Sequence, residues 1–118
     1  MKSLKLISIL VLGLLSYHYS NAQETQSVDT LSFKVNGVCE MCKERIENAA
    51  LIKGVKFTEW NKVTKDLMVI YKPEKVNELE LHNAVAEFGH DTEKVKAKDE
   101  NYAKLPFCCE YREGQESH

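Results

Sequence analysis

The pattern of hydrophobic and polar positions predicts a strand followed by a helix in the first third of the chain. Leu31, Phe33 and Val35 alternate with polar residues, which predicts a strand with one buried face. Gly37 ends the alternation, and from Cys39 onward the apolar side chains fall on one helical face with charges on the other. A first amphipathic helix is therefore expected to follow the first strand directly.

Two further strands are predicted after this helix. Residues 55–60 have the pattern of one strand, residues 61–65 of a turn, and residues 67–71 of another strand. The last of these is apolar on both sides, with Leu67, Val69 and Tyr71 on one face and Met68 and Ile70 on the other. The three strands would then form the centre of a single sheet.

A second helix and a weaker strand complete the predicted domain. Its apolar positions recur at i, i+3, i+4 and i+7, which are Leu81, Ala84, Val85 and Phe88. His82 is expected on the polar side of this helix, at the surface. Residues 90–97 predict a fourth strand. The order β-α-β-β-α-β is that of an α+β, ferredoxin-like fold, with two helices on a four-stranded antiparallel sheet and a C-terminal tail.

The two ends of the chain lie outside the predicted β-α-β-β-α-β domain. Residues 1–22 have a basic start, a short apolar run and small residues before a cleavage point, which predicts a secretory signal peptide rather than a membrane span. Residues 23–30 predict a flexible leader, and residues 31–97 the folded domain. Residues 98–118 form the tail, which is too apolar to be a purely disordered end and should fold back on the domain.

The charge of the exported chain disfavours two classes of partner. Removal of residues 1–22 takes away two lysines and no acidic residue, so the formal charge falls from −2 to −4. Such a chain is not suited to nucleic acid or to an anionic membrane surface. No second apolar segment is long enough to cross a membrane.

The candidate chemistry lies in two pairs of cysteines. Cys39 and Cys42 stand at the predicted start of the first helix, where free backbone N–H groups and the helix dipole favour thiolates. Thiolates select soft ions such as Cu(I), and Zn(II) and Hg(II) are also compatible. Cys108 and Cys109 in the tail can add ligands to this site. Alternatively, one tail cysteine can form a disulfide with Cys39 or Cys42. We favour metal binding over the disulfide.

The residues around the first pair resemble the heavy-metal-associated (HMA) domain of copper chaperones and metal-pumping ATPases. The pattern V-x-G-x-C-x-x-C carries the resemblance, with supporting matches at Gly54-Val55, Val69-x-Tyr71-x-Pro73 and Phe88-Gly89-His90. It covers residues 31–97. The resemblance implies that Cys39 and Cys42 bind Cu(I) or another soft ion and pass it on by ligand exchange.

The resemblance also leads to expectations for Met41, His90 and the tail. The family loop carries a methionine before its first cysteine, whereas here Met41 stands between the cysteines, where we expect it to pack in the core or against the loop rather than bind metal. His90 occupies a position beside the metal loop in the family, so it is a candidate additional ligand, with a surface turn residue as the alternative. The tail pattern L-P-x-C-C-x-Y-R resembles that of exported HMA-like proteins of Gram-negative bacteria, which implies a periplasmic location.

The sequence therefore predicts a binding protein rather than an enzyme. It would be a metallochaperone for a soft ion, most simply Cu(I), with an efflux pump or metal-transporting ATPase as partner. We expect a monomer without metal, although two exposed C-x-x-C loops can bracket one ion in a dimer. The alternatives are a periplasmic thiol–disulfide oxidoreductase using Cys39 and Cys42, and a regulatory subunit of a metal efflux system. Neither Pro73 nor Pro106 lies where a thioredoxin-like enzyme places its proline opposite the cysteines.

Overall fold

The computed structural model describes residues 27–114. Its elements in chain order are β1 (Asp29–Lys34), α1 (Glu40–Ala50), β2 (Val55–Trp60), β3 (Asp66–Tyr71), α2 (Glu78–Glu87), the single-turn helix α3 (Asp99–Tyr102) and two 3-10 turns, Phe107–Cys109 and Tyr111–Glu113. The predicted signal peptide, residues 1–22, lies outside the described residues, as does half of the predicted leader. Within the described part of the chain, no helix has the length and apolarity needed to cross a bilayer.

The strands form an antiparallel sheet in the order β1-β3-β2, and the helices pack on it. One buried cluster contains side chains of β1, β2, β3, α1 and α2, among them Phe33, Trp60, Leu67, Ile46 and Val85. Alternate residues of a strand point to opposite faces: Leu67 and Val69 on one face of β3 are fully buried, whereas Met68 and Ile70 on the other face are only partly buried. The α+β, ferredoxin-like fold class is confirmed.

The predicted fourth strand at residues 90–97 is reduced to a single bridge. Thr92 pairs antiparallel with Val35, directly after β1, so the segment does lie beside that strand. A turn then ends the pairing, because Thr92 N donates to Val95 O at 2.8 Å and Thr92 Oγ1 accepts from Val95 N at 3.0 Å. The sheet in residues 27–114 consequently has three strands rather than the expected four.

The expectation that His82 lies at the surface is wrong. Its ring is fully buried and stacks on Phe33 with the ring centroids 3.9 Å apart, and Nδ1 lies 2.6 Å from Thr92 Oγ1. The buried residues of α2 are Leu81, His82, Val85 and Ala86. The helix is thus rotated relative to the predicted apolar stripe, which leaves Phe88 49% exposed. Burial lowers the pKa of His82, so its neutral form is favoured in this stack.

Candidate metal site

The loop from β1 to α1 is closely packed against the end of β2. Trp60 is almost completely buried, and its Nε1 donates a hydrogen bond to Val35 O at 3.1 Å. A Cβ on Gly37 would lie 3.0 Å from the Trp60 ring and 3.1 Å from Cys42 Cβ. The loop can pass this close to the indole and the helix because Gly37 has no side chain.

Two further side chains hold the backbone of this loop from opposite sides. Lys65, in the turn between β2 and β3, donates from Nζ to Gly37 O at 2.6 Å. His90, after α2, lies with Nδ1 2.8 Å from Asn36 O, and Nδ1 carries the proton because a carbonyl only accepts. The loop that leads to the cysteines is therefore fixed by groups from three separate parts of the chain.

Four cysteine sulfurs converge where this loop enters α1. Cys39 is the N-cap residue and Cys42 lies in the first turn, and their Sγ atoms are 3.3 Å apart. The tail brings Cys109 Sγ to 3.7 Å from Cys39 Sγ. The Sγ atoms of Cys39, Cys108 and Cys109 all lie within 4.8 Å of one another. Cys39 is thus the central sulfur, and all four residues are free thiols.

The sulfur atoms differ in their access to solvent. Cys42 and Cys109 are fully buried, Cys39 is nearly so, and Cys108 is half-buried. Met41 is 48% exposed, with its Sδ 3.8 Å from Cys108 Sγ. The expectation that Met41 packs in the core or against the loop is corrected, because its thioether faces the tail at the solvent edge of the cluster. We call these five residues the sulfur cluster.

The electrostatics of the cluster favour one thiolate. Burial acts to raise the pKa of Cys39, but the Cys42 backbone N–H and the neighbouring thiols outweigh it and lower this pKa to about 7. Burial raises the pKa of Cys42 and of Cys109. The apo cluster therefore favours a thiolate at Cys39 beside the protonated thiols of Cys42 and Cys109, and this thiolate is a ready first ligand for a soft cation.

The tail folds back on the domain as predicted, and Arg112 anchors it. The guanidinium binds the Asp91 carboxylate twice, with Nη2 2.9 Å from Oδ1 and Nε 3.4 Å from Oδ2. Nη2 also donates to Ala97 O at 2.7 Å. The guanidinium carbon lies 4.4 Å from the centroid of the Tyr102 ring. Such a planar fork fits a carboxylate in two places at once, which fixes orientation as well as distance.

Tyr111 provides a second anchor two residues after Cys109. Its hydroxyl donates to Gly89 O at 2.7 Å and accepts from Asp91 N at 2.8 Å. Leu105 fills the space beside Gly89, where a Cβ would meet its side chain at 3.1 Å. The tail cysteines are thereby held between a buried leucine and a hydrogen-bonded tyrosine.

His90 lies outside the group of close sulfurs. Among the described residues, the metal-capable atoms within 4.8 Å of one another include Cys39, Cys108 and Cys109 but not His90. Burial lowers the pKa of His90 to about 4, so the ring is neutral at pH 7, and its buried Nε2 has no hydrogen-bond partner within residues 27–114. The geometry gives His90 a supporting contact to the metal loop. Its role as an additional ligand, like that of the four cysteines, stays a prediction.

Sequence reasoning did not identify the residues that position the tail. Arg112, Tyr111 and Asp91 were assigned no chemistry, although Tyr111 and Arg112 stand inside the L-P-x-C-C-x-Y-R pattern. The signal available was their fixed spacing after the cysteine pair. It could not reveal that both side chains bind Asp91, which lies 20 and 21 residues earlier in the chain.

A thiol pair on the loop before the first helix of a ferredoxin-like fold defines a class of protein. The fold and the position of the C-x-x-C pair are similar to those of heavy-metal-associated domains, so the resemblance seen in the sequence is confirmed at this level. The cluster of thiols in this structure provides the donor set for a soft metal ion.

Solved structures of this class are similar to the chain. A structure named "CopZ metallochaperone" is 27% identical, covering 54% of this chain and 98% of its own, with a TM-score of 0.52. The N-terminal domain of a potential copper-translocating P-type ATPase from Bacillus subtilis, in its Cu(I)-loaded state, is 26% identical, covering 56% and 85%, with a TM-score of 0.53. Oxidized MerP from Ralstonia metallidurans CH34 shares the fold at 22% identity, covering 57% and 96%, with a TM-score of 0.54. No family model and no curated protein matches the sequence.

Proposed function

We propose that the protein is an exported metallochaperone that binds Cu(I) on the thiolates of Cys39 and Cys42 and passes it to a metal transporter. One observation carries the proposal. The Cys39 and Cys42 sulfurs lie 3.3 Å apart at the start of α1, and the Cys109 sulfur lies 3.7 Å from Cys39. Three thiols in this arrangement suit a soft ion of low coordination number.

The sulfur spacing agrees with a single bound ion. With metal–sulfur bonds of about 2.3 Å, two sulfurs at a trigonal angle around one ion are about 4 Å apart. The Cys39–Cys109 separation of 3.7 Å is close to this value, and the Cys39–Cys42 separation of 3.3 Å must open by about 0.7 Å to reach it. Side-chain rotation of Cys42 can provide that change. Zn(II) and Hg(II) are the competing ions because thiolates also bind them.

The similar solved structures support a transporter as the partner. One is named a metallochaperone, and another is the N-terminal domain of a copper-translocating ATPase. Transfer between two such sites needs no redox change. An incoming thiolate forms one bond to Cu(I), and one Cys–Cu bond of the donor breaks. The half-buried sulfur of Cys108 marks the side from which a partner thiolate can approach. The periplasm is the proposed location, on the basis of residues 1–22.

A Cu(I) titration of the reduced chain without residues 1–22 tests the proposal. A chromophoric Cu(I) chelator competes for the ion, and parallel titrations with Zn(II) and Hg(II) rank the metals. Cys39→Ser together with Cys42→Ser should abolish tight binding. The near-ultraviolet signal of Trp60, which packs beside the metal loop, checks that the fold is kept. Unchanged Cu(I) affinity in the folded double variant would sink the site assignment.

A thiol–disulfide oxidoreductase is the second candidate, and the lowered pKa of Cys39 favours it. A thiolate near pH 7 is the form that attacks a disulfide. Against it, Cys39 is 6% exposed and Cys42 is completely buried, so a substrate disulfide cannot reach either sulfur without movement of the tail. Catalysed reduction of a protein disulfide by the chain, lost on Cys39→Ser, would favour this function over metal transfer.

A further inference from the structure

We propose that Met41 and Cys108, together with Cys39, form a second soft-ion position at the solvent edge of the sulfur cluster. The protein would then hold two Cu(I) ions that share the Cys39 thiolate. The first ion is the one bound in the proposed function, on which this inference rests. The C-x-x-C cysteines alone cannot form the second position, because two of its three sulfurs belong to Met41 and to Cys108 of the tail.

Two distances link the second set of sulfurs through Cys108. Met41 Sδ lies 3.8 Å from Cys108 Sγ, and Cys108 Sγ lies within 4.8 Å of Cys39 Sγ. With metal–sulfur bonds of about 2.3 Å, sulfurs around one ion are separated by about 4 Å in trigonal geometry and about 4.6 Å in linear geometry. The Cys108 sulfur therefore lies at a distance from both Met41 Sδ and Cys39 Sγ that is compatible with a shared ion.

Helix geometry separates the second set from the first. Met41 and Cys42 are successive residues of α1, and successive side chains of an α-helix point about 100° apart. Cys42 is completely buried, whereas Met41 is 48% exposed. The group of sulfurs within 4.8 Å of one another includes Cys108 but not Cys42. Met41 and Cys42 thus lie on different sides of α1 and serve different ions in this arrangement.

The donor types determine which ions the second position accepts. A thioether is a soft, uncharged ligand, which suits Cu(I) or Ag(I) and gives Zn(II) little stabilisation. Each Cu(I)–thiolate bond made at a protonated thiol releases one proton to solvent, and the bond to Met41 releases none. The second position is therefore predicted to take a soft monovalent cation. Because Met41 is exposed, the ion can exchange with solvent or a partner.

Met41→Leu tests the inference because leucine has a similar volume but no sulfur. Met68→Leu is the matched control, since Met68 is a half-buried methionine on β3, in the middle of the sheet. Cu(I) is titrated into the reduced wild-type chain and both variants against a chromophoric chelator, and native mass spectrometry counts the ions bound. X-ray absorption on the fully loaded chain reports any short copper–copper distance.

The expected result is two Cu(I) per wild-type chain and per Met68→Leu chain. In Met41→Leu the first ion should bind as in wild type and the second about 10-fold or more weaker. Cys108→Ser should have the same selective effect, and Zn(II) should fill one position only.

Two results would overturn the inference. One is a wild-type chain that binds a single Cu(I) tightly, which leaves the proposed function intact. The other is a second Cu(I) whose affinity is the same in Met41→Leu. Failure of the proposed function has a different signature, in which Cys39→Ser with Cys42→Ser leaves the first Cu(I) in place.

Discussion

The tail anchor offers a direct way to separate the sulfur cluster from the rest of the fold. Arg112→Lys keeps the positive charge but removes the planar fork that binds the Asp91 carboxylate at two oxygens. A single ammonium group can retain one of the contacts to Asp91 and Ala97 O but cannot reproduce the whole set. We therefore expect the tail to detach from the domain more often in this variant.

The size of the effect follows from the burial of the pair. The side chains of Arg112 and Asp91 are 20% and 17% exposed, so solvent screens their contacts only in part. The further ion pair with Asp99 contributes little, because that carboxylate is 95% exposed. Loss of one charge-assisted hydrogen bond from a partly buried carboxylate costs about 2 kcal/mol. This free energy corresponds to a docking equilibrium weakened by a factor of about 30.

Amide hydrogen exchange measures this equilibrium in the tail and in the core separately. Two amides report docking of the tail, namely that of Asp91, whose N–H donates to the Tyr111 hydroxyl, and that of Arg112, whose N–H donates to the Tyr102 hydroxyl. Their protection should fall by about 30-fold in Arg112→Lys, because local opening of the tail exposes them. Protection of the β3 amides should be unchanged.

Arg45→Lys is the matched control, since Arg45 donates a hydrogen bond of 3.3 Å to an exposed backbone carbonyl. It should leave both sets of amides as they are in the wild-type chain. Unchanged protection of the tail in Arg112→Lys would refute the anchoring role. An equal loss in β3 would refute the idea that the tail opens as a separate unit.

Two further predictions concern the residues that support the metal loop. The pKa of His90 falls from 6.5 to about 4 on folding, so the unfolded chain binds the extra proton between these values and stability is lost as pH falls through this window. The loss amounts to about 3 kcal/mol between pH 6.5 and 4. In His90→Asn, whose amide can keep the bond to Asn36, the free energy of unfolding measured in urea should depend less on pH in this window. Parallel pH curves for the wild-type chain and this variant would contradict the assignment of the effect to His90. Gly37→Ala places a methyl group 3.0 Å from Trp60 and should lower the free energy of unfolding by about 1–3 kcal/mol. Wild-type stability in that variant would mean that the loop and the indole move apart freely.

The sequence by itself determined the elements that depend on short-range pattern. The alternation around Phe33 placed β1, and the apolar run of residues 67–71 placed β3. The C-x-x-C spacing at the start of a helix brought Cys39 and Cys42 together, because residues three apart on a helical turn are neighbours. In each case the partners lie within a few residues, so hydrophobic periodicity and helix geometry are sufficient.

The tertiary structure alone decided the features that depend on distant partners. Pairing of residues 90–97 stops at Thr92 because its own turn competes with the sheet, and His82 of α2 is buried because Phe33 of β1 stacks on it. The sulfur cluster forms because Arg112 and Tyr111 attach the tail to Asp91. Cys109 thereby reaches Cys39 across 70 positions of the chain, a contact that no local pattern encodes.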